Sequence, residues 1–122
     1  MIKNGNGDKK LNFLFVSNVG LIGDLAWQIK KEGHKVKYYI KNKNEKDCCD
    51  GFVEKTENWE EDVNWSDVVI FDDTNFGEVA EKLRRDGKLV VGGTPYSDKL
   101  EEDREFGKKE LKDVGVNILS SF

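Results

Sequence analysis

The chain reads as an α/β domain in which a mostly parallel sheet of four to five strands lies between helices, in three layers. Three observations predict it. Short, nearly continuous apolar runs at residues 11–16, 67–71 and 89–91 have the character of strands covered on both faces. Two intervening stretches carry apolar residues at i, i+3, i+4 and i+7, the stripe by which a helix lies on a sheet. Run and stripe alternate along the chain, so successive strands are joined by crossovers and run parallel. The pattern is Rossmann-like.

The first ten residues, MIKNGNGDKK, are polar and read as a disordered leader, leaving 11–122 as the domain proper. Residues 11–16 form the first buried strand. Ile22, Leu25, Ala26 and Ile29 then define the inner stripe of a helix over 23–33. Gln28, Lys30, Lys31 and Glu32 face water, and Gly33 caps the end. Residues 34–40 (HKVKYYI) make the neighbouring strand, 41–50 a charged connection, and 51–55 (GFVEK) a short edge strand. Between 56 and 65, Trp59 and Trp65 stand among acids, in a loop or single helical turn whose tryptophans pack down as lids.

Residues 67–71 (DVVIF) are the next buried strand, followed at once by Asp72-Asp73-Thr74-Asn75, where Thr74 or Asn75 is the expected N-cap of the following helix. Phe76, Val79, Ala80 and Leu83 form that helix's stripe, Lys82, Arg84 and Arg85 point outward, and Gly87 ends it. Residues 89–91 are a short fourth strand running into Gly92-Gly93-Thr94-Pro95. One last helix is expected from Ser97 or Asp98 to about Val114, with Leu100, Gly107, Leu111 and Val114 inward and Arg104 on the same stripe. A guanidinium there needs a partner, either a nearby acid such as Glu101 or Asp103 or a neighbouring domain or ligand. Residues 116–122 read as a strand cut short.

With 122 residues the chain suits one domain with a real core. Its net charge of -4 and the lack of a basic face argue against nucleic acid as a partner. No apolar run approaches a membrane span and the polar start lacks a signal-peptide core, so a cytoplasmic location is expected. Cys48 and Cys49, the only cysteines, are adjacent and argue against a disulfide framework. They read as free loop thiols, with a reactive or metal-binding pair as the alternative, and with His34 as the sole histidine no zinc spacing can be assembled. His34 itself lies at the start of a strand, away from the edge where such sheets bind ligands.

That carboxyl edge is where open α/β sheets hold ligands, and three strand ends reach it. The first is the loop Ser17-Asn18-Val19-Gly20-Leu21-Ile22-Gly23, whose glycines serve either a tight strand-to-helix turn or an anion resting on helix amides. It departs from the dinucleotide fingerprint, which wants three glycines and an acid ending the second strand; here that strand ends in Lys41-Asn42-Lys43. The second is Asp72 and Asp73, able to hold a metal or hydroxyl-rich ligand or to cap the next helix. The third is the 92–95 turn. Candidate substrate-binding residues are Asn18, Val19 and Gly20, Asp72, Asp73 and Thr74, and Gly93, Thr94 and Pro95. No catalytic or metal-ligating set is expected.

Several motifs in order carry a resemblance: the glycine loop before a helix with Leu25-Ala26-Trp27, the strand end Gly92-Gly93-Thr94-Pro95, then Leu100-Glu101-Glu102-Asp103-Arg104-Glu105-Phe106, and Lys112-Asp113-Val114-Gly115-Val116. Together they resemble the N-terminal, pre-ATP-grasp domain of ATP-grasp ligases of the phosphoribosylamine-glycine ligase (glycinamide ribonucleotide synthetase) type. The Glu102–Phe106 element also resembles a helix of the carbamoyl phosphate synthetase large chain. The family's Gly-Ser-Gly-Gly-Arg-Glu-His loop is here Ser17 to Gly23, without the Arg-Glu-His, which leaves Gly20 as the main matching position.

The resemblance implies a substrate-side domain in purine biosynthesis that is not catalytic alone. ATP and magnesium are implied for the full-length ligase and none is expected for this chain by itself. ATP-grasp domains in the same or another chain are the implied partners, Arg104 a contact to them, and a sugar phosphate the implied small molecule. A stand-alone nucleotide- or sugar-phosphate-binding regulatory module, or a scaffold docking another subunit through its last helix, are the rival expectations.

Overall fold

A computed structural model describes residues 3–4 and 7–119. Strands β1 (Lys3–Asn4) and β2 (Gly7–Asp8) pair antiparallel, Lys3 opposite Asp8. The main elements follow as β3 (Asn12–Ser17), α1 (Gly23–Lys31), β4 (Lys35–Ile40), β5 (Glu54–Lys55), α2 (Trp59–Asp62), β6 (Val68–Phe71), α3 (Gly77–Arg85), β7 (Leu89–Val91), α4 (Pro95–Glu102) and α5 (Arg104–Asp113). The five later strands form one sheet in the order β5-β4-β3-β6-β7, and every neighbouring pair is parallel. The chain thus winds outward from β3 through β4 to β5, then returns to β6 on the other side. The switch point lies between β3 and β6, where such sheets open a crevice.

Alternation along each strand sends side chains to two cores. Phe15, Val36, Tyr38, Ile40 and Ile70 meet Ala26 of α1 on one face, with Phe15 and Tyr38 stacked at 5.2 Å. On the other face Leu14, Val16, Val69 and Phe71 meet Ala80 of α3. Trp59 and Trp65 pack against this second core, as lids do. Leu25, expected inside, is 44% exposed; α1 rests on the sheet through Ala26, Ile22 and Ile29 instead.

Three expectations are corrected. Neither Thr74 nor Asn75 caps α3: Asn75 has φ +71, outside the extended conformation a cap requires, and the helix is preceded by Phe76 without a side-chain cap. The cap comes from α4, whose Asp98 carboxylate accepts the Gly77 N–H at 2.7 Å. Second, the last helix is two. Asp103 is extended (φ -100, ψ 96), ends α4 and accepts the Phe106 N–H at 3.0 Å as the N-cap of α5. The break rotates one half of the expected stripe away from the other, so Leu111, Val114 and Arg104 are exposed and Arg104 is no buried charge. Third, residues 116–119 form no strand, and the rest of that expected strand lies outside the described residues.

Arg84 also departs from its outward reading. Its guanidinium donates to the Gly92 and Gly93 carbonyls, both at 2.8 Å, and so shapes the turn after β7. Among the described residues no helix is long and apolar enough to cross a membrane.

Candidate functional site

At the carboxyl end of β3, the buried Ser17 hydroxyl accepts the Gly20 N–H at 2.7 Å and turns the chain into the glycine loop. Gly20 takes φ +81, a region few side chains tolerate, while the Ser17 and Asn18 carbonyls accept the Lys41 and Asn42 N–H groups at 2.9 Å and carry the β4 pairing into the loop. Space matters as much as dihedral angle. A Cβ on Gly20 would lie 2.9 Å from the Cys48 Sγ, and one on Gly23 would overlap the Cys49 Sγ. The glycines therefore make room for two thiols.

Those thiols come from the connection after β4. Cys48 Sγ approaches the Gly20 carbonyl at 3.6 Å and the Cys49 Sγ at the same distance. Burial, together with the hydrogen bond shared with Cys48, pushes the Cys49 thiol up to about 11. Cys48, Cys49, Gly20, Leu21, Trp27 and Phe52 line a cleft of about 470 Å³. As the sequence predicts, both are free thiols in a loop; their place in the wall of a cleft is decided by the fold. The signal was present: in a parallel sheet the loop after the second strand shares the carboxyl edge with the loop after the first.

Leu21 also borders a second cleft, of about 380 Å³, lined by Asp72, Asp73, Thr74, Gly93, Ser97 and Asp98 with Phe71 and Glu101. Asp72 and Asp73 differ sharply within it. Asp73 accepts the Thr74 N–H at 2.8 Å, and the Thr74 hydroxyl donates to Glu102 at 3.3 Å. Asp72 accepts the Tyr38 hydroxyl at 3.2 Å through one oxygen, while its other oxygen, Oδ1, is buried and has no partner among the described residues. Burial and the Asp72 charge push the Tyr38 phenol far above its ordinary value. Tyr38 was not singled out in the sequence, though a tyrosine on the buried face of a strand must find a partner for its hydroxyl.

The structure thus gathers Asp72, Asp73, Thr74 and Gly93 into one cleft and places Gly20 in the next. Thr94 and Pro95 serve another purpose. The Thr94 hydroxyl accepts the Ser97 N–H at 3.1 Å in a capping box, and Pro95 is the first residue of α4. Asn18 and Val19 line neither cleft. At the opposite edge, His34 Nδ1 accepts the Leu11 N–H at 3.1 Å and joins the strands.

Chemically, the second cleft is acidic. Asp72, Asp73, Asp98 and Glu101 line it, no lysine or arginine does, and Asp24 occupies the first turn of α1. Carboxylates at that density favour hydroxyl and amine donors. Among the described residues no group of three or more histidines, cysteines or carboxylates converges to hold a metal ion.

Among solved structures the chain is similar to N5-carboxyaminoimidazole ribonucleotide synthetase from Thermotoga maritima. The two are 18% identical, with a TM-score of 0.65 over 90% of this chain and 32% of that one. It is also similar to an imine reductase variant from Myxococcus stipitatus in complex with NAD+, at 17% identity and a TM-score of 0.55 over 88% of this chain and 37% of that one. The chain spans about a third of the length of each. At these identities the likeness is one of fold, the Rossmann-like α/β class. No family profile matches the sequence, and no curated protein matches it either.

Proposed function

We propose that this chain is the ligand-side, pre-ATP-grasp-type domain of an ATP-dependent carboxylate–amine ligase similar to phosphoribosylamine-glycine ligase, without turnover on its own. The observation that supports this reading is the likeness to the ribonucleotide synthetase over 90% of the chain, alongside the ordered ligase-like motifs between Gly20 and Val116. In this reading ATP and magnesium act on ATP-grasp domains in the same or another chain. The loop of Asn18, Val19 and Gly20 and the cleft of Asp72, Asp73, Thr74 and Gly93 face the substrate, with Thr94 and Pro95 shaping the turn beside it. Arg104, exposed at the start of α5, contacts the partner domain.

A second reading has one observation of its own. The unpartnered Asp72 Oδ1, in a cleft of carboxylates, suits a sugar hydroxyl better than a phosphate, which favours a stand-alone nucleoside- or sugar-binding module.

A thermal-shift series separates the two: ribose, adenosine, ribose 5-phosphate, glycinamide ribonucleotide, ATP and NAD. A ligand specific for the native state, at 100 times its dissociation constant, adds about 2.7 kcal/mol, a shift of several degrees. The ligase reading expects a shift with glycinamide ribonucleotide or ribose 5-phosphate and none with ribose. Equal shifts with ribose and adenosine, lost in Asp72→Asn, would replace it with the module.

A further inference from the structure

We propose that the open edge of β7 is a self-association surface, on which a second copy of this chain adds its own β7 antiparallel and joins the two five-stranded sheets into one. The sheet has two edges, and they differ. β5 closes one with two charged residues, Glu54 and Lys55, the kind of short, charged strand that discourages pairing. β7 closes the other with Leu89-Val90-Val91, in unbroken register with Val68, Val69 and Ile70. It carries no charge, proline or bulge to guard it. Leu89 and Val91 are both more than half exposed, on the face where α1 leaves the sheet open.

The ladder fixes what that edge offers. The Lys35 and Lys41 N–H groups donate to the Leu11 and Ser17 carbonyls, so odd-numbered main-chain groups of β3 face β4 and even-numbered ones face β6. Alternation carried through the next two registers turns Leu89 and Val91 toward β6 and the Val90 N–H and C=O outward. That edge is complementary to itself. About a two-fold axis, the Val90 N–H of each copy donates to the Val90 carbonyl of the other, a hydrogen-bonded pair. Leu89 then stands opposite Val91 of the second copy in a close pair without hydrogen bonds, apolar against apolar. Lys88 comes opposite Gly92, so no like charges stand directly opposite one another. This complementarity selects a second copy over an unrelated strand. A three-residue ribbon buries less than the roughly 1,200 Å² of a standard interface, so the pair forms reversibly at high concentration, and unfolding in dilute solution reads the separate chain.

The test is sedimentation velocity of the whole chain over a concentration series reaching the millimolar range, with far-UV circular dichroism confirming the fold of each variant. A reversible monomer–dimer equilibrium is expected. Leu89→Lys combined with Val91→Lys sets ammonium groups opposite each other across the axis and should weaken dimerisation at least tenfold. Leu89→Glu combined with Val91→Lys sets carboxylate opposite ammonium in this register. That variant should dimerise several-fold more tightly than the two-lysine one, with an advantage that added salt removes. A wild-type chain that stays monomeric throughout the series would overturn the proposal. So would a folded two-lysine variant that dimerises like the wild type, or a glutamate-lysine variant no tighter than the two-lysine one.

Discussion

Tyr38 shows how much one side chain can couple. Its ring stacks on Phe15 in the core, while its hydroxyl reaches Asp72 beneath the acidic cleft. Its folded pKa lies above the unfolded value of 10.0, so the neutral phenol's contribution is complete below that pH and is lost as pH rises toward the higher folded value. Thermal melts should therefore fall off above pH 10, and Tyr38→Phe should remove that component while losing about 1–3 kcal/mol at neutral pH, because Asp72 is left with both oxygens unpartnered. Asp62 has the opposite sign. Burial alone would raise it, but the Thr56 hydroxyl at 2.6 Å and the Lys37 ammonium at 2.9 Å outweigh burial and hold it below 3.8. Its contribution is present above that pH and lost as pH falls through the depressed value, so Asp62→Asn should flatten the acid limb of stability. Gly77 is constrained by shape: a Cβ there would overlap the Thr94 carbonyl, which is backbone and cannot rotate aside. Gly77→Ala should lower stability by about 1–3 kcal/mol in urea melts, although alanine favours helix elsewhere.

The helices divide by how their ends are held. α3 borrows its cap from α4, so the two begin as one unit at Gly77, Thr94 and Asp98. α4 and α5 form a corner, with Tyr96 edge-on to Phe106 at 5.8 Å and Lys99 over the Phe106 ring at 4.2 Å. Their caps are Thr94 and Asp103. Losing a cap costs about 1 kcal/mol. Thr94→Ala and Asp103→Ala should each lower the melting temperature by a few degrees, with Asp103→Ala also loosening the corner, visible as faster amide exchange in α5. Most of α5 is exposed, and only Gly107 in it is buried, so Arg104→Ala should leave the melting temperature of the isolated chain within about a degree. An interdomain role for Arg104 would show only in assembly.

For the whole molecule, the weight of stability lies in β3 and β6 and fades toward β7. Leu14 is fully buried between β4 and β6, whereas Leu89 and Val91 on the edge strand are 68% and 58% exposed. By register Leu89 lies beside Val68 and Val91 beside Ile70, on the α1 face, yet α1 packs over β4 and leaves these two in water. Leu14→Ala should cost about 2–5 kcal/mol in denaturant unfolding, and Leu89→Ala within about 0.5 kcal/mol. Equal losses would mean that the edge is covered in solution.

Strand and helix were legible in this sequence because burial imposes a period on neighbouring residues: continuous at Phe13 to Val16, three and four apart at Val79, Ala80 and Leu83. The parallel sheet and its carboxyl edge followed from the alternation of those periods. The break at Asp103 was hidden because Leu100, Gly107 and Leu111 keep helical spacing across it, and only a side-chain cap and a turned backbone interrupt them. The site was less legible still. Tyr38 meets Asp72 across 34 residues, Cys48 meets Gly20 across 28, and Asp98 caps Gly77 across 21. Local pattern by itself determined which residues are buried and in what element. Which loops touch, whose carboxylate caps which helix and where two thiols come to rest were decided by the tertiary structure, because those contacts exist only once the sheet has brought distant strand ends to one edge.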